Sequence, residues 1–186
     1  VDAFMQKSQP NIGTQATILN ADQRGFSALL ESLPPIQMAD LLNRFFSLMS
    51  QVIERHGGVI DKFMGDSVMA LFGAPVRRPD DLLRALNCAV EMQQTMADLN
   101  RQSEARGEPR IYAGIALSTG EVMAGSFGSS LYHEYTVIGD PVNLAARIEA
   151  YTLRGQILLS ERTFQAAESQ VEIGAVNEVL VKGKST

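Results

Sequence analysis

The chain has 186 residues, of which 45% are hydrophobic and 20% are charged, and its formal net charge is -5. This length and composition predict one domain with a hydrophobic core and no internal disulfide, since Cys88 is the single cysteine. An acidic balance argues against a nucleic-acid partner, and no apolar stretch approaches the roughly 20 residues of a membrane span. We therefore expect a cytoplasmic segment that makes no direct membrane contact.

The first half of the chain predicts a strand, a helix and a hairpin. Residues 1–14 are polar and aperiodic and are predicted as a linker or tail, and 16–19 read as a strand. Glycines at 57 and 58 predict the end of an amphipathic helix. Its apolar residues recur three and four positions apart: Met38, Leu41, Leu42, Phe45, Leu48, Met49 and Val52. Strands over 59–63 and 68–72 flank a turn at 64–67, which places Asp66 near a hairpin tip.

The second half predicts a helix and a further set of strands. The helix begins at Asp80-Asp81, and strands over 110–118 and 121–127 are predicted around a turn at Thr119-Gly120. A strand over 135–138, a helix from Pro141, a strand near 157–159, a helix from Glu161 and a closing strand pair around 171–181 follow. The order predicts an α+β fold: a ferredoxin-like βαββαβ core sheet with helices on one face, plus a C-terminal α/β extension.

Two acidic residues stand where strands give way to tight turns. Asp22 follows the run that begins at Ala16, and Asp66 follows Gly65 in the predicted hairpin. Two carboxylates placed this way suit a site for Mg²⁺ or Mn²⁺ and a nucleotide, because these ions prefer oxygen ligands and share substrate phosphates. The alternative is that each aspartate merely stabilises its turn.

Taken with the stretch YTVIGDPVNLAAR at 135–147, these aspartates make the chain resemble the catalytic domain of class III nucleotidyl cyclases. The resemblance runs from about Gln15 to Lys184, which predicts a catalytic domain over 15–186 with a truncated final strand. Lys62 and Thr136 form a pair similar to that of bacterial class IIIb adenylyl cyclases.

The resemblance implies that two metal ions are held by Asp22, Asp66 and the backbone carbonyl of Gln23. It assigns the phosphates to the turn Gly25, Phe26 and Ser27 and to Lys182. The chain departs from the family pattern where Asn20 replaces an aromatic residue and Gln23 an apolar one.

Adenine recognition falls, by the same resemblance, on Lys62 and Thr136. Asp140 is an alternative acceptor for the adenine amine, but it directly precedes Pro141 and is predicted to be a helix N-cap. Asn143 and Arg147 lie four residues apart on the helix from Pro141, so they share a face. The resemblance assigns Asn143 to the ribose and Arg147 to the α-phosphate in the transition state, against the alternative of ordinary exposed side chains.

The implied activity is an adenylyl cyclase, a phosphorus-oxygen lyase that converts ATP to 3′,5′-cyclic AMP and pyrophosphate. The family places its sites at a homodimer interface, where the two aspartates of one subunit face the Lys, Thr, Asn and Arg of the other. The alternatives are a guanylyl cyclase and a catalytically silent nucleotide-binding regulatory module. We also expect regulatory domains in a longer parent chain, with any membrane anchor outside this segment.

Overall fold

A six-stranded sheet organises the fold. The computed structural model describes residues 10–172 and residue 174. Its elements in chain order are β1 Ile12–Arg24, α1 Phe26–Leu30, α2 Pro35–Arg55, β2 Val59–Met64, β3 Ser67–Phe72, α3 Asp81–Ala105, β4 Tyr112–Gly128, β5 His133–Ile138, α4 Asp140–Glu149, β6 Ile157–Leu159 and α5 Glu161–Ala167. The strand order in the sheet is β2-β3-β1-β4-β5, and β6 pairs with β4.

The ferredoxin-like core predicted from the sequence is confirmed. Its four strands, β2, β3, β1 and β4, are joined by antiparallel pairing, and β1 lies at the centre. The β4–β5 pair is also antiparallel, whereas β6 pairs with β4 in parallel. The C-terminal extension therefore adds to the core through β4.

One face of the sheet, which we call the helical face, carries Leu19 and Ala21 and is covered by α2 and α3. The 3.6-residue periodicity turns one stripe of α2 inward, and its buried residues are Leu41, Phe45, Met49, Val52 and Ile53. As predicted, α2 ends just before Gly57, whose φ of 66° suits a left-handed helix end. No helix in the part of the chain that the structure describes is apolar and long enough to cross a membrane.

Cys88 lies in the core of the helical face and is a free thiol. Burial raises its pKa to about 12, which keeps the thiol protonated and unreactive near neutral pH.

The opposite face, which we call the site face, carries Ala16 and Ile18 because successive strand residues point to opposite sides. A smaller apolar cluster forms here with Val137 of β5 and Ala145 of α4. The two faces of the sheet are thus covered by different helices, α2 and α3 on one and α4 on the other.

The predicted strand break at Thr119-Gly120 is wrong. β4 runs unbroken through both residues, and they pair with Thr17 and Ala16 of β1. A Cβ atom on Gly120 would lie 2.6 Å from Cγ of Pro141, so this glycine allows α4 to approach the strand rather than forming a turn.

β1 is longer than the predicted strand over 16–19. It begins at Ile12, inside the segment predicted as a linker, because its first residues pair with 121–124 of β4. This pairing satisfies the backbone whatever the polarity of the side chains. The closing strand pair predicted around 171–181 falls almost entirely outside the described residues.

Candidate functional site

Asp22 and Asp66 meet where β1 ends beside the β2–β3 hairpin. Asp22 lies opposite Ser67 of β3, and the Gln23 N–H donates to the Asp66 carbonyl over 3.4 Å. The hairpin turn has only two residues, Gly65 and Asp66, and Gly65 adopts a φ of 61°. The register of these strands brings the two predicted metal ligands together from positions 44 residues apart in the sequence.

The surroundings of Asp22 disfavour the charged form of its carboxyl group, although Arg24 lies nearby. Burial, followed by the nearby carboxylates of Glu149 and Asp66, raises the pKa of Asp22 to about 8. Its Oδ1 atom is buried without a hydrogen-bond partner. A divalent cation would supply both the missing partner and the missing positive charge, so these residues fit a hard metal ion.

Glu149, at the end of α4, is a site residue that the sequence analysis missed. Arg24 bonds the Glu149 carboxylate and donates to the Thr152 hydroxyl over 2.9 Å, and it lies 3.9 Å from Asp22. A Cβ on Gly114 would collide with the Thr152 hydroxyl, so this glycine makes room for the contact. The only signal in the sequence was an acidic residue two positions after Arg147.

Within the described residues, no three Asp, Glu, His or Cys side chains are arranged to hold a metal ion. A metal at Asp22 and Asp66 would therefore be completed by other oxygens. Backbone carbonyls, water and the phosphates of a nucleotide are the usual sources, because Mg²⁺ is commonly bound by only one or two carboxylates.

The turn after Asp22 leads directly into α1. Gly25 caps α1 with a φ of 82°, which a residue with a side chain rarely adopts, and Phe26 is buried. Ser27 is exposed. The first N–H groups of a helix lack partners within it, so the turn offers donors suited to an anion.

The two departures from the family pattern both place polar side chains in the interior. Asn20 is 4% exposed and Gln23 is 3% exposed. Oδ1 of Asn20 and both amide atoms of Gln23 are buried without a hydrogen-bond partner. Strand alternation places Asn20 on the site face with Asp22, and Gln23 on the helical face.

A second cluster joins the two residues assigned to adenine. The Thr136 hydroxyl donates to Asp61 over 2.9 Å, and the Lys62 ammonium lies 3.4 Å from that carboxylate and 2.6 Å from Glu134. Although β2 and β5 are at opposite ends of the strand order, their side chains meet. The structure thus brings Lys62 and Thr136 together through Asp61, which the sequence analysis did not single out.

Asn143 and Arg147 lie on α4 as predicted, with Asn143 exposed and Arg147 half-buried. Neither side chain has a hydrogen-bond or ion-pair partner among the described residues. The buried residues of α4 are Pro141 and Ala145. Lys182 lies outside the described residues.

The prediction that Asp140 is the N-cap of α4 is wrong by one residue. Gly139 is the N-cap, with its carbonyl accepting from the N–H groups of Val142 and Asn143. Asp140 is the first helical residue, where a carboxylate still interacts favourably with the helix dipole.

The family model described as the adenylate and guanylate cyclase catalytic domain matches residues 9–186. An adenylate cyclase of Anabaena cylindrica is 37% identical over 177 residues, which cover 90% of this chain and 34% of that protein. The chain spans about a third of the length of the curated relatives it matches.

Solved structures share the fold. The guanylyl cyclase Cya2 is 42% identical with a TM-score of 0.89, and the match covers 96% of this chain and 90% of that one. The adenylyl cyclase CyaB from P. aeruginosa is 32% identical with a TM-score of 0.91, covering 96% of this chain and 92% of that one.

Proposed function

Because the chain belongs to the adenylate and guanylate cyclase catalytic domain family, we propose that it converts ATP to 3′,5′-cyclic AMP and pyrophosphate. The observation that carries this proposal is the meeting of Asp22 and Asp66 at one sheet end, where Oδ1 of Asp22 is buried without a partner and burial together with nearby carboxylates raises the pKa of Asp22. Such a pair suits a metal-dependent reaction of a nucleoside triphosphate.

Asp22, Asp66 and the backbone carbonyl of Gln23 would hold two Mg²⁺ or Mn²⁺ ions. When bound, such ions acidify the attacking hydroxyl and neutralise charge on the phosphates and the departing pyrophosphate. Glu149 is held by Arg24 and is therefore assigned a supporting role rather than that of a ligand.

The proposed reaction is an intramolecular displacement at the α-phosphorus. The ribose 3′ oxygen forms a bond to this phosphorus, the bond to the oxygen that bridges to the β-phosphate breaks, and pyrophosphate leaves with the electron pair. The proton of the 3′ hydroxyl passes to solvent. Asn143 holds the ribose so that the 3′ oxygen is aligned, and Arg147 stabilises the charge that develops on the α-phosphate.

The remaining phosphates are assigned to the turn before α1. Backbone N–H groups at Gly25, Phe26 and Ser27 would donate to them, as helix starts do to anions. Lys182 is proposed to reach the terminal phosphates from the C-terminal part of the chain.

Adenine is assigned to Lys62 and Thr136, in support of ATP as the substrate. The Lys62 ammonium would donate to a ring nitrogen, and the Thr136 hydroxyl would accept from the exocyclic amine. Their shared contact with Asp61 supports this assignment because it holds both groups in one place.

The working unit is proposed to be a homodimer with two equivalent sites. Asp22 and Asp66 of one subunit would face Lys62, Thr136, Asn143 and Arg147 of the other, an arrangement that two-fold symmetry repeats. The lack of partners for Asn143 and Arg147 within the described part of one subunit supports an interface role. We further propose that this domain lies in the cytoplasm and that other regions of a longer parent protein regulate its activity.

Cyclisation of GTP is the second candidate, because Cya2, at 42% identity, is a guanylyl cyclase. The two candidates differ in the hydrogen-bonding pattern that the base must present to Lys62. A shift in substrate preference from ATP toward GTP in Lys62→Glu would support the adenine assignment.

Product analysis tests the proposal. Purified protein, titrated in concentration, is incubated with ATP or GTP and either Mg²⁺ or Mn²⁺. Cyclic AMP formed with a specific activity that rises with protein concentration would support a dimeric adenylyl cyclase. Cyclic GMP would overturn the assignment of Lys62 and Thr136, and nucleotide binding without product would favour a regulatory module.

A further inference from the structure

Asp61 is a buried carboxylate to which the proposed reaction assigns no role. Its side chain is 1% exposed, whereas that of neighbouring Lys62 is 33% exposed. Oδ2 of Asp61 accepts from the Thr136 hydroxyl at 2.9 Å and lies 3.4 Å from the Lys62 ammonium. Oδ1 is buried without a partner. One carboxylate therefore contacts both residues assigned to the base.

A β-bulge gives Asp61 this position. The register between β2 and β3 shifts between Ile60 and Lys62, so Asp61 has no partner residue on β3. Bulges bend a strand and re-aim a side chain, which allows two consecutive residues to approach the same neighbour. Keeping a carboxylate here is costly, because a buried oxygen without a partner loses its hydration.

The contact with Asp61 fixes the polarity of the Thr136 hydroxyl. A threonine hydroxyl has one proton to donate and two lone pairs to accept, and an ionised carboxylate can only accept. The proton of Thr136 is therefore committed to Asp61, and the hydroxyl offers only lone pairs to a ligand.

This polarity distinguishes the two purines. The exocyclic group of adenine is an amine that donates, and the corresponding group of guanine is a carbonyl that accepts. Building on the proposed function, we propose that Asp61 is a specificity-determining positioning residue, which orients the Thr136 hydroxyl so that it accepts from adenine and cannot donate to guanine.

The surrounding charges support the acceptor role. Burial raises the pKa of Asp61, while the Thr136 hydroxyl and the Lys62 charge oppose that rise by stabilising the anion. Lys62 has three protons, and its contacts with Asp61 and Glu134 leave one to donate to a ring nitrogen. Both base-facing groups then match adenine.

The test compares nucleotide binding by Asp61→Ala, Thr136→Val and the double variant with that of the unsubstituted chain. Calorimetry with α,β-methylene analogues of ATP and GTP and Mg²⁺ measures the ratio of the two affinities without requiring turnover. We expect Asp61→Ala and Thr136→Val each to lower the preference for the ATP analogue by about tenfold, the value of one hydrogen bond. The double variant should show no further loss, because Asp61 acts through Thr136.

An unchanged ratio in folded Asp61→Ala, or additive losses in the double variant, would overturn the inference. A merely structural carboxylate would weaken both analogues equally and leave the ratio intact. Asp61→Asn keeps an oxygen acceptor opposite Thr136 and should retain the preference; together with Thr136→Val it decides the matter if Asp61→Ala does not fold. Glu134→Gln is the control, because Glu134 contacts Lys62 but is not bonded to Thr136. If it lowered the preference for the ATP analogue as much as Asp61→Ala does, the effect would be assigned to Lys62 instead.

The same measurements separate this inference from the proposed function. Selective binding that depends on Asp61 without any cyclic product would retain the inference and overturn the cyclase. Cyclic AMP production, with a ratio of ATP-analogue to GTP-analogue affinity that does not depend on Asp61, would retain the cyclase and overturn the inference.

Discussion

The two faces of the sheet differ in how completely their buried polar groups are satisfied. The helical face is closed by α2 and α3 over an apolar core that includes Phe45 and Met92. The site face holds most of the buried side-chain oxygens that lack a partner in the described part of the chain: Asn20 Oδ1, Asp22 Oδ1, Asp61 Oδ1 and Ser118 Oγ. Buried polar groups without partners lower the stability of the fold, so the apolar packing of the helical face offsets the cost of the polar groups on the site face.

Truncating a core side chain on the helical face should reduce stability without altering chemistry. Phe45→Ala removes a fully buried ring and should cost about 3–5 kcal/mol of unfolding free energy. Thermal unfolding followed by circular dichroism measures the loss, and Phe63→Ala, at a ring 47% exposed, is the matched control with a smaller effect. A changed KM in the folded fraction of Phe45→Ala would show that packing on the helical face also affects substrate binding, contrary to this prediction.

Removing the carboxylate of Asp66, in the turn beside Asp22, should reduce activity while leaving stability nearly unchanged. Asp66→Ala should lower cyclase turnover by about a hundredfold or more while changing unfolding free energy by less than about 0.5 kcal/mol. Initial rates of cyclic AMP formation and a denaturant titration measure the two effects. Asp98→Ala, at an exposed aspartate paired with Arg101, should leave both unchanged. Near-normal turnover in Asp66→Ala would contradict the metal assignment.

Arg147→Ala should lower kcat by about a hundredfold with little change in KM, because the role proposed for its charge is in the transition state. Steady-state kinetics at saturating metal separate the two constants. Arg101→Ala provides a control at an arginine that is 73% exposed. A rise in KM with unchanged kcat would instead make Arg147 a ground-state binding residue.

Gln23 is a buried polar residue on the otherwise apolar helical face, and its amide has no hydrogen-bond partner among the described residues. Replacing it tests whether such groups lower stability. Gln23→Met keeps the shape of the side chain but removes an amide that has no partner, so it should raise unfolding free energy by about 1 kcal/mol. Melting temperature should rise by about 2–4 °C. Metal-dependent activity should persist, because only the backbone carbonyl is assigned to the metal. A lower melting temperature would show that the amide is satisfied by water.

The sequence could predict the elements whose signals are local. The period of α2 and the Gly65-Asp66 turn identified a helix and a hairpin that the structure confirms. Gly120 was misinterpreted as a turn because its purpose, the approach of Pro141, depends on a helix 21 residues away in the sequence.

The same limit applies to the site. Family resemblance pointed to Asp22, Asp66, Lys62 and Thr136, which the structure places in two clusters. Asp61 could not be assigned from spacing, because its partner Thr136 is 75 residues distant and reaches it only through the fold. Glu149 was missed for the same reason, since its contact with Arg24 spans 125 residues.

The two-residue turn at Gly65-Asp66 makes this hairpin intolerant of changes in length. One inserted residue would advance the chain by about 3.3 Å and turn the following side chains to the opposite face of the sheet. The linker between α3 and β4, which includes Gly107 with no neighbouring atom near its Cβ position, has no such restriction. Insertions and deletions among homologous chains should therefore accumulate after α3 and be excluded from the hairpin that carries Asp66.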